Sequence, residues 1–440
     1  MERIARPDRW RRYVAFWGIR RLRPTNSAFR ATGLLSGIMV VAGASYLSGL
    51  LALADAAAGH NTDASVRRAA EIMPGNAAYW FYLYRLLDID GRKDEALRCL
   101  ERAAALNPSD PQVWTALALA AETSGDARTA EQHLFQAMRV DATFLPRWEL
   151  AQFYFRQGDT ATFWRWAHEA SEISDDSAWP DLFRFCWLAA ASRGENENLI
   201  SERVVPRRPK EHARYLAFLL DENHLAAAAP VANWLLPKAT ASEAKPLFRY
   251  CDRLIDTGQS VAAVRVWNGL AQRGMIEPHA LAPDQGISLT NGDFRLPFFK
   301  SGFDWRPPAN SEIQWWQTGQ PPGVRISLSG NQPESVEVLA QLMPVLPSQT
   351  YRFESGYRTY GIAKNTGLRW QVLDAASGLD LTFESPQLSS EDWNIARVSF
   401  RTADKCRLAR LSLMYRRERG TTRIEGSVWL KNATLQLEHR

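Results

Sequence analysis

One spacing constrains this chain more than any other feature: tryptophan recurs at a 34-residue interval, at Trp80, Trp114 and Trp148. Apolar or small residues follow each tryptophan three and seven positions later, which is the spacing that puts side chains on one face of a helix. Glycine then ends the helix at the same place in the first two units. Such a helix pair buries its apolar face only by stacking on a copy of itself, so the interval predicts an all-α solenoid.

Aligned on this interval, the chain carries one signature from repeat to repeat. Alanines recur where two helices approach closely, and a proline closes the first unit because it cannot continue a helix. The positions that carry the signature are Trp80, Leu83, Gly91, Ala96, Pro108, Trp114, Leu117, Gly125, Ala130 and Trp148. The signature resembles that of the tetratricopeptide repeat (TPR) family over residues 77–108 and 111–142. In a third unit, 145–175, Phe163 stands where a small residue is expected.

The resemblance implies that the solenoid offers a concave groove to a peptide or a protein partner. Asn76, Arg85 and Asn107 are candidates for lining that groove, although an exposed arginine on a solenoid is usually just solvated. Helical patterns continue beyond the regular repeats while their register fades. We therefore expect a TPR and TPR-like α-solenoid over residues 62–275, followed by a linker over 276–287.

The N-terminal segment differs from the rest of the chain in charge. Residues 1–30 hold nine arginines against two acids, a net charge of +7 in a chain whose total is +5. Residues 31–54 are uncharged and, at about 1.5 Å per residue, span the ~30 Å core of a bilayer. The arginine excess places the N-terminus in the cytoplasm. We therefore expect a basic cytoplasmic tail (1–30), a single transmembrane anchor helix (31–54) and a periplasmic body at the inner membrane of a bacterium.

An alternative to the anchor is a signal peptide, because Ala52-Leu53-Ala54 resembles a cleavage site. Residues 1–30 and 31–54 are both longer than the corresponding parts of such a peptide, so an uncleaved anchor is favoured. Without the basic tail, the body of the protein is near neutral. It therefore shows no electrostatic footprint for nucleic acid, and no nucleic-acid partner is expected.

After Met275 the pattern changes to short alternating runs between turns. Seven or eight such runs predict an all-β, jelly-roll sandwich over residues 288–440. The order of its cues resembles the carbohydrate-binding modules of the galactose-binding-like class. The residues that carry this resemblance are Asn291, Gly292, Phe294, Trp305, Gln341, Pro347, Tyr351, Trp393, Val398 and Phe400. Trp429 and Lys431 stand in the last strand, where many such modules have an aspartate beside a calcium site, so no calcium is expected there.

Sugar binding needs aromatic rings that stack on pyranose faces and planar donors at the edges of those faces. The candidates for glycan contact are Trp315, Trp316, Arg358, Tyr360, Arg369 and Arg410. Alternation along the strands places the three arginines opposite apolar neighbours. If they line one sheet, they form a basic strip suited to an acidic polysaccharide. The alternative is an ordinary solvated sheet face with core aromatics behind it.

The sequence carries none of the common catalytic motifs: no GxSxG elbow, HExxH pair, Walker loop or GxGxxG turn. We therefore expect no enzyme activity, no cofactor and no metal site. The expected function is that of a membrane-anchored scaffold whose TPR array binds a protein partner and whose sandwich contacts a glycan. Assembly or export of a cell-surface polysaccharide would join these two roles. The alternative is a pure protein–protein interaction scaffold that binds no sugar.

Overall fold

The structure, a computed structural model, describes residues 27–277 and 280–438. Residues 1–26, which make up most of the expected basic tail, lie outside the described residues. The α-helices of the described chain are α1 (Ser27–Ala58), α2 (Asp63–Ile72), α3 (Ala77–Ile89), α4 (Lys93–Leu106), α5 (Pro111–Thr123), α6 (Ala127–Val140), α7 (Phe144–Arg156), α8 (Thr160–Ile173), α9 (Trp179–Arg193), α10 (Asn198–Arg203), α11 (Pro209–Asp221), α12 (Leu225–Leu235), α13 (Ala244–Asp256) and α14 (Ser260–Gln272). Its strands are β1 (Ile313–Thr318), β2 (Gly323–Ser329), β3 (Ser335–Pro344), β4 (Thr350–Tyr360), β5 (Leu368–Asp374), β6 (Thr382–Glu384), β7 (Asn394–Arg401), β8 (Leu408–Arg416) and β9 (Glu425–Glu438).

The described chain forms two compact units, which divide between Phe153 and Tyr154. The first unit contains the two regular repeats, α3 with α4 and α5 with α6. The signature leucines and alanines of these repeats are buried, and both turn glycines have left-handed φ angles, 75° and 87°, which residues with a side chain avoid. The helical TPR region predicted from the interval is therefore present.

The recurring tryptophans connect one repeat to the next. Trp80 donates a hydrogen bond from Nε1 to the carbonyl oxygen of Pro74 at 3.0 Å, and Trp114 donates to that of Pro108 at 2.8 Å. Both rings also pack against the buried clusters between the helices. Because the proline ends one unit and the tryptophan begins the next, this bond explains why the two residues recur together.

Helix α1 is the N-terminal apolar helix. Its stretch Ala31–Ala58 is long and apolar enough to cross a membrane, a property that membrane anchors share with signal sequences. Most of its side chains are exposed, but Ala54 is fully buried in a cluster with Ala69, Ala70 and Tyr79 of α2 and α3. The last turns of α1 therefore belong to the packed helical body.

The helices of the second unit, α8 to α14, carry the weaker repeat pattern. Phe163 of α8, which replaces the small residue of the signature, is fully buried. Its ring centroid lies 4.5 Å from that of Trp164, 5.5 Å from that of Phe155 and 6.1 Å from that of Phe185. An aromatic cluster thus occupies a position where the signature has a small residue. The short helix α10 is not predicted by the sequence pattern.

The nine strands form two antiparallel sheets that pack as a sandwich, as the alternating runs predict. The six-stranded sheet has the order β1-β2-β9-β4-β7-β6, and the three-stranded sheet has the order β3-β8-β5. Inward side chains from both sheets share one core, which includes Phe353, Trp370 and Leu413. Strands β1 and β6 are not predicted by the sequence, because both are short and their burial does not alternate cleanly.

Residues that carry the carbohydrate-binding-module resemblance hold the segment before β1 against the sheets. Gln341 is fully buried, and its Nε2 donates to the carbonyl oxygens of Thr290 and Phe303, both at 2.9 Å. Trp305 is also fully buried and donates from Nε1 to the carbonyl oxygen of Asn291 at 3.0 Å. These residues are therefore structural.

Hydrogen bonds connect the segment before β1 to the last two helices. Asp252 of α13 accepts hydrogen bonds from the backbone N–H of Gly302 at 2.8 Å and from Nη2 of Arg306 at 2.9 Å. Asn268 of α14 exchanges two hydrogen bonds with the backbone of Leu281, at 2.7 and 2.8 Å. The segment expected to be a linker is thus tied to α14, and the sandwich contacts α13.

Candidate ligand-binding face of the sandwich

A row of alternating aromatic and cationic side chains crosses one face of the six-stranded sheet. Its members are Trp316 on β1, Arg325 on β2, Trp429 on β9, Arg358 on β4 and Trp393 just before β7. The strand register makes Trp316 the direct partner of Arg325, Arg325 the partner of Trp429, and Trp429 the partner of Arg358. We call these five residues the cation–aromatic row.

The row lies on the outer face of the sheet. Neighbouring residues along a strand point to opposite faces, and the neighbours of the row members point into the core. Val324 and Ile326 flank Arg325 in β2, and Leu430 follows Trp429 in β9; all three apolar side chains are buried in the sandwich core. The row is therefore displayed on the side of the sheet that faces away from the three-stranded sheet.

Each arginine of the row lies near two indole rings. The Cζ atom of Arg325 is 4.7 Å from the ring centroid of Trp316 and 4.8 Å from that of Trp429. The Cζ atom of Arg358 is 4.7 Å from the ring centroid of Trp429 and 5.4 Å from that of Trp393. These distances are within the range of attractive cation–π contacts. The side chains of the row therefore hold one another in place.

Two further residues extend this face. The Nζ atom of Lys431 lies 3.8 Å from the ring centroid of Trp393. Tyr360 lies on the same face of β4 as Arg358 and is 71% exposed, while Trp316 and Trp393 are 39% and 41% exposed. Open aromatic surface is therefore presented beside three cations.

Three cations in and beside the row, Arg325, Arg358 and Lys431, lie without an acidic partner among the described residues. Nη2 of Arg325 donates to the hydroxyl of Ser427 at 3.2 Å, but its Nε is buried without a hydrogen-bond partner. The Nε atom of Arg325 is therefore not accessible to a ligand, whereas the Arg358 side chain is exposed.

Two arginines elsewhere on the same outer face are neutralised. Arg352, on the same strand as Arg358 and pointing the same way, pairs with Glu438 of β9. Arg397 of β7 donates to Glu354 of β4 at 2.9 Å. Paired and unpaired arginines thus occur on one sheet face, and the two arginines of the row are among the unpaired ones.

The two adjacent tryptophans of β1 face different sides. Trp315 is partly buried against the core, and its ring centroid lies 5.4 Å from that of Phe298. The Nζ atom of Lys300 is 5.2 Å from the Trp315 ring. Of the two sequence candidates in "EIQWWQ", therefore, the structure places only Trp316 on the outer face.

The basic strip of Arg358, Arg369 and Arg410 does not form, because these arginines do not line one sheet. Arg358 belongs to the six-stranded sheet, whereas Arg369 on β5 and Arg410 on β8 belong to the three-stranded sheet. Arg410 donates to both carboxylate oxygens of Glu337, at 2.6 and 2.8 Å, and Arg369 pairs with Glu418. Alternation correctly placed each arginine opposite apolar neighbours, but it carries no information about which strands share a sheet.

Two carboxyl groups with shifted pKa values lie away from this face. Burial alone would raise the pKa of Glu337, but hydrogen bonds from Arg410 and Ser412 lower it below its usual range. Burial raises the pKa of Asp304 to about 6, and the backbone N–H of Phe299 donates to its carboxylate. Both groups brace the sandwich, Glu337 through β8 and Asp304 through the segment before β1.

Arg325, Trp393 and Trp429 complete the row although none of them is a sequence candidate for glycan contact. The available signal was alternation, since Arg325 and Trp429 each stand between two apolar residues of a strand. That signal shows that a side chain points outward. It does not show that residues about 100 positions apart become direct neighbours, as Arg325 and Trp429 do.

Part of the chain is similar to known proteins. A family model described as tetratricopeptide repeat matches residues 77–121. No curated protein matches the chain. Similar solved structures include Pseudomonas aeruginosa pilF (16% identity, 44% of this chain and 90% of that chain, TM-score 0.25) and MamA (15%, 37% and 89%, TM-score 0.29). Another is YrrB, a TPR protein with an unusual peptide-binding site (12%, 47% and 91%, TM-score 0.23). The family match and the fold define a chain with a TPR region followed by a β-sandwich.

Proposed function

We propose that the protein is a non-catalytic, membrane-anchored scaffold whose TPR region binds a protein partner and whose sandwich contacts a glycan. The observation that carries the glycan contact is the exposed aromatic surface on the outer sheet face. Trp316, Trp393 and Tyr360 are all at least 39% exposed there. Large aromatic rings are usually buried, and open rings beside planar donors are what sugar recognition requires.

The TPR region supports the second half of the proposal. Arrays of stacked repeats typically bind protein partners on extended surfaces. The same property supports the second candidate function, a scaffold that binds protein alone and no sugar.

The packing of α1 supports an uncleaved anchor, and the arginine excess of residues 1–30 supports a body on the periplasmic side. Cleavage after Ala54 would remove a fully buried side chain from the cluster that it forms with Ala69 and Ala70. The chain would then hold its helical body close to the membrane, since no linker separates the end of α1 from α2 beyond residues 59–62. A scaffold at that position suits the assembly or export of a cell-surface polysaccharide.

The test of the glycan contact is a glycan array probed with the full chain in detergent micelles. Loss of one stacking ring typically costs enough for about a tenfold drop in affinity, so Trp316→Ala should weaken binding by that factor. The matched control is Phe383→Ala, which removes an aromatic ring that is also exposed in the sandwich but lines a different cleft, with Arg369. A protein that binds no glycan on the array but co-purifies with a stable protein partner supports the second candidate instead.

A further inference from the structure

We infer that the glycan is an acidic polysaccharide whose carboxylates are bound along the cation–aromatic row, with the sugar chain running across the strands. This inference rests on the proposed glycan contact and adds the charge of the ligand and its direction on the sheet. It also assigns the contact to Arg325, Trp429, Trp393 and Lys431 in addition to Arg358.

The arginines of the row stack on indole rings and pair with no described acid. A guanidinium group is planar, with its hydrogen-bond donors at the edge and its faces available for stacking. In the row, indole rings lie on Arg325 and Arg358 at 4.7 to 5.4 Å, whereas no described carboxylate pairs with either group. The donors of the exposed Arg358 are therefore available to an incoming carboxylate, which a guanidinium binds through two parallel hydrogen bonds. Arg325, whose Nε is buried, offers only its Nη atoms.

The row repeats the same kind of contact along its length. Its members come from five neighbouring strands in the order β1, β2, β9, β4 and β7. At a strand spacing of about 4.8 Å, the row extends roughly 19 Å across the sheet. Ring and cation alternate along this length, so the face repeats the same pair of contacts. A polymer with a repeated ring and a repeated acid matches such a surface better than a peptide with varied side chains.

An acidic peptide and a single-stranded nucleic acid fit the row less well than an acidic polysaccharide does. A peptide that recognises a sheet usually adds to an exposed edge strand, whereas the row crosses the middle of a face. A single-stranded nucleic acid would also stack on aromatic rings and pair with cations. The arginine-rich N-terminal segment and the apolar helix that follows it place the body across the membrane from cytoplasmic nucleic acid under the proposed topology.

The experiment measures dissociation constants of the full chain, in detergent micelles, for polygalacturonate, alginate and hyaluronan and for the methyl ester of each. Esterification removes the negative charge and keeps the sugar rings. At least one polyuronate should bind, its methyl ester should bind at least about tenfold more weakly, and added salt should weaken the charged form selectively.

The matched variants are Arg358→Gln and Arg352→Gln, which remove the same charge from the same face of the same strand. Arg358→Gln should weaken polyuronate binding about tenfold, because a charge-assisted hydrogen bond is lost. Arg352 is already paired with Glu438, so its replacement should change affinity by less than about twofold. Arg358→Lys should restore part of the affinity, since it keeps the charge but not the paired donors.

Several results would overturn the inference. These are equal binding of a polyuronate and its methyl ester, equal loss in the two glutamine variants, or tighter binding of single-stranded DNA than of any polyuronate. Failure of all three polyuronates while neutral glycans on the array still bind would overturn it and leave the proposed glycan contact intact. Failure of every glycan would remove both.

Discussion

The tryptophans of the TPR region and those of the sandwich face differ in what their rings contact. Trp80 and Trp114 donate from Nε1 to a backbone carbonyl and pack their rings between helices. Trp316, Trp429 and Trp393 instead lie beside cations that have no described acidic partner. The comparison teaches that the abundance of tryptophan says little, whereas the partner of each ring separates a structural role from the proposed ligand-binding one.

The largest expected difference between the two groups is in stability. Trp148→Ala removes a ring that is only 8% exposed, so the free energy of unfolding of the helical region should fall by about 3–5 kcal/mol. Trp316→Ala removes a ring that is 39% exposed and should lower the free energy of unfolding by about 1 kcal/mol or less. Urea unfolding followed by far-ultraviolet circular dichroism measures both. Equal losses would break the comparison.

A smaller effect isolates the hydrogen bond of the repeat tryptophan. Trp114→Phe keeps an aromatic ring but loses the bond to the Pro108 carbonyl, so the free energy of unfolding should fall by about 1 kcal/mol beyond the change in packing. Trp429→Phe keeps a ring face for Arg325 and Arg358 and should lose less, about 0.5 kcal/mol. The same unfolding titrations decide this, and a greater loss for Trp429→Phe would reverse the assignment of roles.

The smallest expected effect is a change in the pH dependence of stability, and it concerns His133, the stacking partner of Trp114. Trp114 stacks on His133 with ring centroids 5.6 Å apart, and burial lowers the pKa of His133, an effect that Asp126 partly offsets. Between the folded and unfolded pKa values the folded state binds fewer protons, so stability falls as the pH drops through that window. His133→Gln should reduce the loss of thermal stability between roughly pH 7.5 and 5.5. An unchanged pH profile in the variant would show that His133 does not contribute.

The difference between the two regions also explains what the sequence could predict. The TPR region is built from contacts between residues close in the chain. The spacing of Trp80, Pro108 and Trp114 therefore already predicts its fold. The alternating runs likewise predicted a sandwich and the outward direction of Arg358. Local order was readable in both regions because helix and strand periodicity act over a few residues.

The proposed binding face could be predicted less well from the sequence, because it depends on which strands become neighbours. Arg325 and Trp429 meet only because β2 pairs with β9, and Arg369 and Arg410 are separated from Arg358 only because β5 and β8 belong to the other sheet. Alternation has a period of two whatever the strand order, so it could not distinguish these arrangements. In the sequence, Trp429 and Lys431 stand out only because they occupy the place where many carbohydrate-binding modules have an aspartate beside a calcium site. In the structure, both lie on the outer face of the six-stranded sheet.

The most direct test of the two roles pairs Trp114→Ala with Trp393→Ala in the full chain and measures both the unfolding free energy and the dissociation constant for a bound polyuronate. Trp114→Ala should lower stability by about 2–4 kcal/mol and leave the dissociation constant unchanged. Trp393→Ala should raise the dissociation constant about tenfold and lower stability by about 1 kcal/mol or less. A Trp393→Ala variant that loses stability as Trp114→Ala does while binding the polyuronate normally would contradict the assignment of the cation–aromatic row as a ligand-binding face.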